Sequence, residues 1–209
     1  FRSPSILGRT YKRDSKGRFG SGGGDGVRET LAEASTIEEI NAAASTEAKR
    51  ITGRDIPFDM TGSDPQIARE HCEGVLQGLE RFPRTPLKRV QQGGSAYAEG
   101  QEAWAATSPD GRVITFTDDA QRYGAEAYRA DLKQSAKFGE IVGGTPTAVA
   151  LHEFGHSVAN GYNANGWVDN AAGAYAEIEM GTNDLSAAAS GAISRRAAEN
   201  SHELAAEGF

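Results

Sequence analysis

The pattern H-E-x-x-H, at residues 152–156, constrains the fold of this chain more than any other stretch of its sequence. On an α-helix with about 3.6 residues per turn, His152 and His156 project from one face and can bind one zinc ion together. Glu153 would face the open coordination position, where its carboxylate can take a proton from water and pass it to a leaving amine. A pattern with two free positions also arises by chance in helices, so further ligands are needed before a zinc site is predicted.

The residues around this pattern favour a helix. Thr145 or Thr147 can cap its N-terminus, and Pro146 suits its first turn. Asn160 and Gly161 together are a typical stop signal. We therefore expect the two histidines to lie on one regular helix.

A third protein ligand is required, because a catalytic zinc site takes three ligands from the protein and leaves one position for water, whereas a structural site is closed by four. Glu203 and Glu207 lie four residues apart near the end of the sequence, on a stretch that reads as a helix. One of them can bind the metal while the other holds a metal-binding histidine in place. Spacing alone does not assign the two roles.

Taken together, these two stretches resemble the gluzincin-type zinc peptidase domain of anthrax lethal factor and of related metallopeptidases in bacterial toxins and phage-encoded proteins. The resemblance rests on His-Glu-Phe-Gly-His and on the later segment Glu-x-x-Ala-Glu-x-Phe at residues 203–209. It implies that Glu203 is the third zinc ligand and that Glu207 is the partner of a metal-binding histidine. It also implies that the chain is a zinc metalloendopeptidase. The first half of the chain carries no such likeness.

One residue departs from the family pattern, in which Ser-x-Tyr-Ala stands before the last helix. Ser194, Arg196 and Ala197 occupy that register here, with Glu203 six residues after the alanine. An arginine therefore replaces the tyrosine that is thought to hydrogen-bond the reacting carbonyl oxygen. A guanidinium could stabilise an oxyanion by its charge, so Arg196 is a candidate catalytic residue.

Charge and cysteine usage limit the partners of the chain. It has 22 Lys and Arg against 29 Asp and Glu, for a net charge of −7. This balance argues against nucleic acid as the main partner, because phosphate binding requires a basic surface. Cys72 is the only cysteine, so it cannot form an intrachain disulfide, and it is expected to pack as a small hydrophobe. No apolar run approaches the length of a membrane span, and none is predicted.

The domain organisation follows from composition. Residues 1–26 are predicted to be a flexible extension or linker, because residues 14–26 are rich in glycine and lack apolar periodicity. Within them, Arg-Asp-x-x-Gly-Arg-Phe resembles linkers of phage structural proteins, which implies attachment to virion proteins. Residues 27–209 are predicted to form one metallopeptidase-like domain, with a helical part at 27–82, a small sheet at 87–118 and a helical zinc-binding part at 123–209.

Two helices are predicted ahead of the sheet. Residues 27–53 read as one helix with a solvated, glutamate-rich face. A second helix is expected from Pro65 to about Arg81, with Ser63 as its cap. Its buried side should carry residues spaced by four, namely Ile67, His71, Val75 and Leu79. We expect His71 to be a core histidine, because the metal already has three candidate ligands.

Between residues 87 and 118 the apolar period changes to two, which predicts an antiparallel meander. Short strands are expected at 87–90, 96–98, 103–105 and 113–117. Strand 113–117 is the candidate inner or edge strand near the cleft, where an edge could pair with an extended substrate. A sheet that only covers the helices is equally compatible. A further helix is predicted from Gly124 to Phe138, with Tyr128, Leu132 and Phe138 inward.

The sequence therefore predicts an α+β fold, in which helices pack on one face of a small antiparallel sheet. The zincin-like site would lie between the helix of His152 and His156 and the C-terminal helix of Glu203. The predicted function is zinc-dependent hydrolysis of a peptide or protein substrate. The alternative is a non-enzymatic structural or interaction protein of a phage particle that retains the zinc-binding fold, which Arg196 and the linker favour. The resemblance implies a location in a phage virion or in the host cytoplasm.

Overall fold

The computed structural model describes residues 31–93, 104–141 and 143–162, together with Glu203 and Ala206. The predicted linker at 1–26, the predicted strand at 96–98, Arg196 and Glu207 lie outside these residues. The described part is α+β, with helices and a four-stranded sheet. The helices are α1 (Ile37–Thr52), α2 (Pro65–Arg81), α3 (Asp119–Tyr123), α4 (Ala125–Lys137) and α5 (Pro146–Tyr162). The strands are β1 (Phe58–Asp59), β2 (Arg89–Gln92), β3 (Ala105–Thr107) and β4 (Val113–Phe116).

The single helix predicted at 27–53 is interrupted. Residues 31–33 are helical, but α1 begins at Ile37, after a break. Thr36 Oγ1 accepts a hydrogen bond from the Glu39 backbone N at 3.2 Å, and the Glu39 carboxylate accepts one from the Thr36 backbone N at 3.1 Å. This reciprocal pair is a capping box, which satisfies two backbone donors and starts a new helix. The prediction of one helix was wrong because it read Glu39 only as part of an exposed face.

Helix α2 is capped by Asp64 and not by Ser63. Asp64 Oδ1 accepts hydrogen bonds from the backbone N of Gln66 at 3.0 Å and of Ile67 at 3.1 Å. Because Pro65 occupies the first helical position, the cap must be the residue directly before it. The predicted buried stripe of α2 is confirmed, since all four of its members are at most 2% exposed: Ile67, His71, Val75 and Leu79.

The sheet is mixed, with the strand order β1-β2-β4-β3. Strands β1 and β2 are parallel, as are β2 and β4, whereas β3 pairs antiparallel to β4. The predicted antiparallel meander was therefore wrong, except for the hairpin of β3 and β4. A parallel pair needs a crossover connection, and α2 supplies it between β1 and β2. The two-residue strand β1 was missed because it is too short to show a periodic pattern.

Helix α5 is held against α2 by a close contact between the two helices. A Cβ atom at Gly74 would lie 2.5 Å from the Thr147 carbonyl oxygen, and one at Gly78 would overlap the Phe154 ring. Phe154 itself is fully buried. The apolar face of α5 is thus fixed on α2, which leaves the histidines of α5 on a different face.

The remaining core predictions are confirmed with one exception. Tyr128 and Leu132 of α4 are buried, and so is Cys72 of α2. Phe138 was predicted to point inward, but it is 54% exposed. Helix α4 ends at Lys137, and Phe138 caps it in a conformation that leaves the helix, so the helical spacing no longer sets its direction. None of the helices in the described ranges is long and apolar enough to cross a membrane.

Candidate metal centre

Helix α5 carries the H-E-x-x-H residues and begins where the sequence predicts. Thr145 Oγ1 accepts a hydrogen bond from the Ala148 backbone N at 3.1 Å, so Thr145 is the cap and Thr147 is not. The helix continues to Tyr162, past the stop predicted at Asn160-Gly161. Gly161 has a packing role instead, because a Cβ atom there would lie 2.5 Å from Pro86 Cδ. It permits close approach of the chain and does not end the helix.

Polar contacts fix the position of α5 relative to the hairpin of β3 and β4. The buried Ser157 hydroxyl donates to the Gly111 carbonyl oxygen at 2.5 Å and lies 2.9 Å from the Thr85 hydroxyl. Asn160 Nδ2 donates to the Ser108 carbonyl oxygen at 3.4 Å. The bonds to Gly111 and Ser108 tie the C-terminal half of the helix to the β3–β4 turn, so α5 has a fixed position beside β3.

Three predicted metal ligands come together on this face of α5. The Nε2 atoms of His152 and His156 are 3.0 Å apart, and the two rings stand at 85° to each other. Glu203 Oε2 lies 3.3 Å from His152 Nε2, and Glu203 Oε1 lies 3.4 Å from His156 Nε2. All three side chains are partly buried and could hold a metal ion. Glu203 reaches them from a helical position far along the chain.

The spacing of these atoms can be compared with that around a zinc ion. Tetrahedral zinc with bonds of about 2.0 to 2.1 Å separates its ligand atoms by about 3.3 to 3.4 Å. The two Nε2 atoms are 3.0 Å apart, and Glu203 lies 3.3 Å and 3.4 Å from them through two different carboxylate oxygens. Two imidazoles and one carboxylate are also a donor set that zinc accepts. The donor set of the described residues is therefore one that a metal ion such as zinc accepts, and its three ligand atoms lie within 4.8 Å of one another.

The Glu153 side chain is buried beside β3. It is 4% exposed, and its Oε2 accepts a hydrogen bond from Thr107 Oγ1 at 2.8 Å. The same hydroxyl lies 2.8 Å from the Glu153 backbone carbonyl oxygen. Thr107 carries no sequence signal of function, and the strand that contains it was expected two residues earlier, at 103–105. The predicted orientation of Glu153 toward an open coordination position stays a prediction.

The strand nearest to α5 is β3, which lies at one edge of the sheet. Strand β4, which was predicted as an inner or edge strand, is an inner strand between β2 and β3. Both of its backbone edges are therefore occupied, and it cannot pair with a substrate. Among the described strands, β3 is the one that combines an outer edge with proximity to α5.

His71 lies in the core and is not one of the clustered ligands, as predicted. Its ring stacks on Phe116 with centroids 3.9 Å apart, and its Nε2 lies 3.2 Å from the Tyr128 hydroxyl. Burial lowers the pKa of His71 to about 3, because no solvent is available to stabilise the charged ring. Burial likewise raises the pKa of Tyr128, so both groups are neutral near neutral pH.

Comparison with known proteins gives no further information on this site. No protein-family model, no curated protein and no solved structure matches the chain.

Proposed function

We propose that this chain is a zinc-dependent metallopeptidase of the gluzincin type, which hydrolyses peptide bonds. The observation that supports the proposal is the convergence of His152, His156 and Glu203 within ligand distance of one another. Glu203 lies far from the two histidines in the sequence, and a chance H-E-x-x-H pattern would have no reason to meet a distant glutamate. The adjacent Glu153 adds a buried carboxylate on the same helix.

Each residue has a role in this proposal. His152, His156 and Glu203 would hold zinc through three protein ligands, which is the number found at catalytic sites. Zinc, when bound, supplies a Lewis acid that polarises a carbonyl and makes water a stronger acid. Glu153 would accept the proton of the attacking water and deliver it to the leaving amine. Arg196 as the group that stabilises the oxyanion, and Glu207 as the partner of a histidine, remain proposals from the sequence.

Substrate binding would use β3. An extended peptide can add to a sheet edge through backbone hydrogen bonds, which impose little sequence demand. Because β3 lies beside α5, a peptide on its outer edge would pass close to Glu153. We infer a peptide or unfolded protein segment as the substrate class.

The alternative is a non-enzymatic phage structural or interaction protein that retains the zinc-binding fold. The observation in its favour is Arg196, which stands where the family has tyrosine. The sequence at residues 13–19, which resembles linkers of phage structural proteins, also favours this alternative. Zinc binding without hydrolysis would distinguish this alternative from the peptidase.

The deciding experiment measures zinc content and proteolysis in matched variants. Purified wild-type protein should contain about one zinc per chain and cleave an unfolded protein substrate. Glu153→Gln should keep its zinc and lose activity, whereas His152→Ala and Glu203→Ala should lose most of the zinc. Glu126→Gln, on the exposed face of α4, serves as the control and should behave as wild type. Normal zinc content in both ligand variants would rule out this ligand set.

Absence of cleavage with normal zinc loading would instead support the structural alternative. A panel of unfolded proteins and randomised peptides should be used, so that narrow specificity is not mistaken for inactivity.

A further inference from the structure

We propose that Thr107 is a positioning residue that holds the Glu153 carboxylate and links it to the substrate-binding edge of β3. This inference rests on the proposed peptidase function. It concerns a residue that has no metal-binding or catalytic signature in the sequence. Thr107 is the last residue of β3, so its backbone belongs to the edge strand while its side chain reaches α5.

The Thr107 hydroxyl contacts two oxygen atoms of the same residue, Glu153. Thr107 Oγ1 lies 2.8 Å from Glu153 Oε2 and 2.8 Å from the Glu153 carbonyl oxygen. A hydroxyl has one hydrogen, so it bonds both oxygens in a shared arrangement or alternates between them. In either case the hydroxyl ties the position of the Glu153 carboxylate to the position of its own backbone. The side chain thereby loses rotational freedom at the place where it would meet the reacting water.

Thr107 also connects the position of the Glu153 carboxylate with the position of a peptide paired with β3. The position of a peptide added to β3 would be set by the backbone of Ala105 to Thr107, because β-pairing fixes the register of both strands. The same Thr107 fixes Glu153, so one residue sets the separation of the scissile bond and the base. Displacement of a reacting group by about 1 Å can cost roughly 10²-fold in rate, which makes such a link effective.

A purely structural reading of Thr107 is also available. Its hydroxyl could serve only to bond the carbonyl oxygen of α5 and so attach β3 to the helix. In the positioning role the important acceptor is the Glu153 carboxylate, whereas in the structural role it is the Glu153 backbone carbonyl oxygen. Substitutions of Thr107 and Glu153 can distinguish the two roles.

The first test is kinetic. Thr107→Val keeps the shape of the side chain and removes the hydroxyl, so kcat should fall about 10-fold to 10²-fold while KM and zinc content stay unchanged. Thr107→Ser keeps the hydroxyl and should restore most of the rate. Thr115→Val is the matched control, since the buried Thr115 hydroxyl of β4 bonds Gln91 and not α5. Wild-type kcat in Thr107→Val would overturn the proposal.

The second test does not need activity. Unfolding midpoints of the wild type, Thr107→Val, Glu153→Met and the double variant are compared at equal zinc content. Methionine removes the carboxylate acceptors and leaves the backbone carbonyl of residue 153. Thr107→Val should lower the midpoint by about 3 °C more in the wild type than in Glu153→Met, because only the wild type loses a bond to the carboxylate.

The outcomes separate the two hypotheses. Equal shifts in both backgrounds would mean that the hydroxyl serves only the backbone carbonyl, and the positioning role would be wrong even in an active enzyme. Unequal shifts in a protein that cleaves nothing would refute the peptidase function and leave the contact between Thr107 and Glu153 established.

Discussion

Acid should destabilise this protein through His71, a residue remote from the clustered ligands. His71 is 2% exposed, and its Nδ1 has no hydrogen-bond partner among the described residues. Protonation would therefore bury a charge together with an unsatisfied N–H. Burial lowers the pKa of the folded ring to about 3, against an ordinary value of 6.5. Between these two values the unfolded chain binds more protons than the folded chain, so stability falls as the pH decreases from about 6.5.

The size of the effect can be worked out at pH 5, which lies about 1.5 units below the unfolded pKa. Each pH unit below the unfolded pKa corresponds to about 1.4 kcal/mol. The free energy of unfolding should therefore fall by about 2 kcal/mol between pH 7 and pH 5. This figure does not depend on the folded pKa, provided that the latter is well below 5. Tyr128, the hydroxyl partner of His71, stays neutral throughout because burial raises its pKa.

The assay is urea unfolding followed by circular dichroism at pH 7 and pH 5, in wild type and in His71→Gln. Glutamine keeps a hydrogen-bond donor and an acceptor but does not titrate. Between pH 7 and pH 5 the free energy of unfolding of His71→Gln should therefore fall by about 2 kcal/mol less than that of the wild type. Both proteins are treated with a chelator, so that a bound metal ion contributes to the stability of neither. Identical pH dependence in the two proteins would refute the claim that His71 is buried and neutral.

Three further predictions concern packing, chemistry and organisation. Gly78→Ala should destabilise the protein by about 1 to 3 kcal/mol in urea unfolding, because the added methyl overlaps the Phe154 ring; an unchanged midpoint would mean that α2 and α5 pack less closely. If the guanidinium stabilises the oxyanion, Arg196→Ala should lower kcat about 10² to 10³-fold at constant zinc content. In the same assay, Arg196→Tyr should raise kcat only if arginine makes the natural site less active than the family tyrosine would. Deletion of residues 1–26 should leave the thermal unfolding midpoint unchanged, and a large decrease would show that this segment docks on the domain.

Much of the helical structure could be predicted from the sequence, because capping and periodicity depend on residues close together in the chain. Helix α5 begins after Thr145, and α2 runs from Pro65 to Arg81, as the start signals and the apolar spacing indicate. The errors are local in origin too. The capping box at Thr36 divides a stretch that propensity alone reads as continuous.

The sheet could not be predicted in the same way. Strand order and direction depend on which distant segments pair, and the alternating pattern of a strand carries no information about its partner. The parallel pairs of β2 with β1 and with β4 arise from connections that return the chain to the same end of the sheet. The position of β3 beside α5 likewise depends on the strand order, because β3 lies at the edge of the sheet next to β4.

The sequence by itself determined the chemistry that is available: two histidines one helical turn apart, a glutamate between them and a further glutamate near the end of the chain. Only the tertiary structure decided which groups meet. It brings Glu203 to within 3.3 and 3.4 Å of His152 and His156, and it brings Thr107 to Glu153. The physical reason is that local spacing sets the direction of a side chain on its own helix. Contacts between distant segments are set by the packing of the whole core.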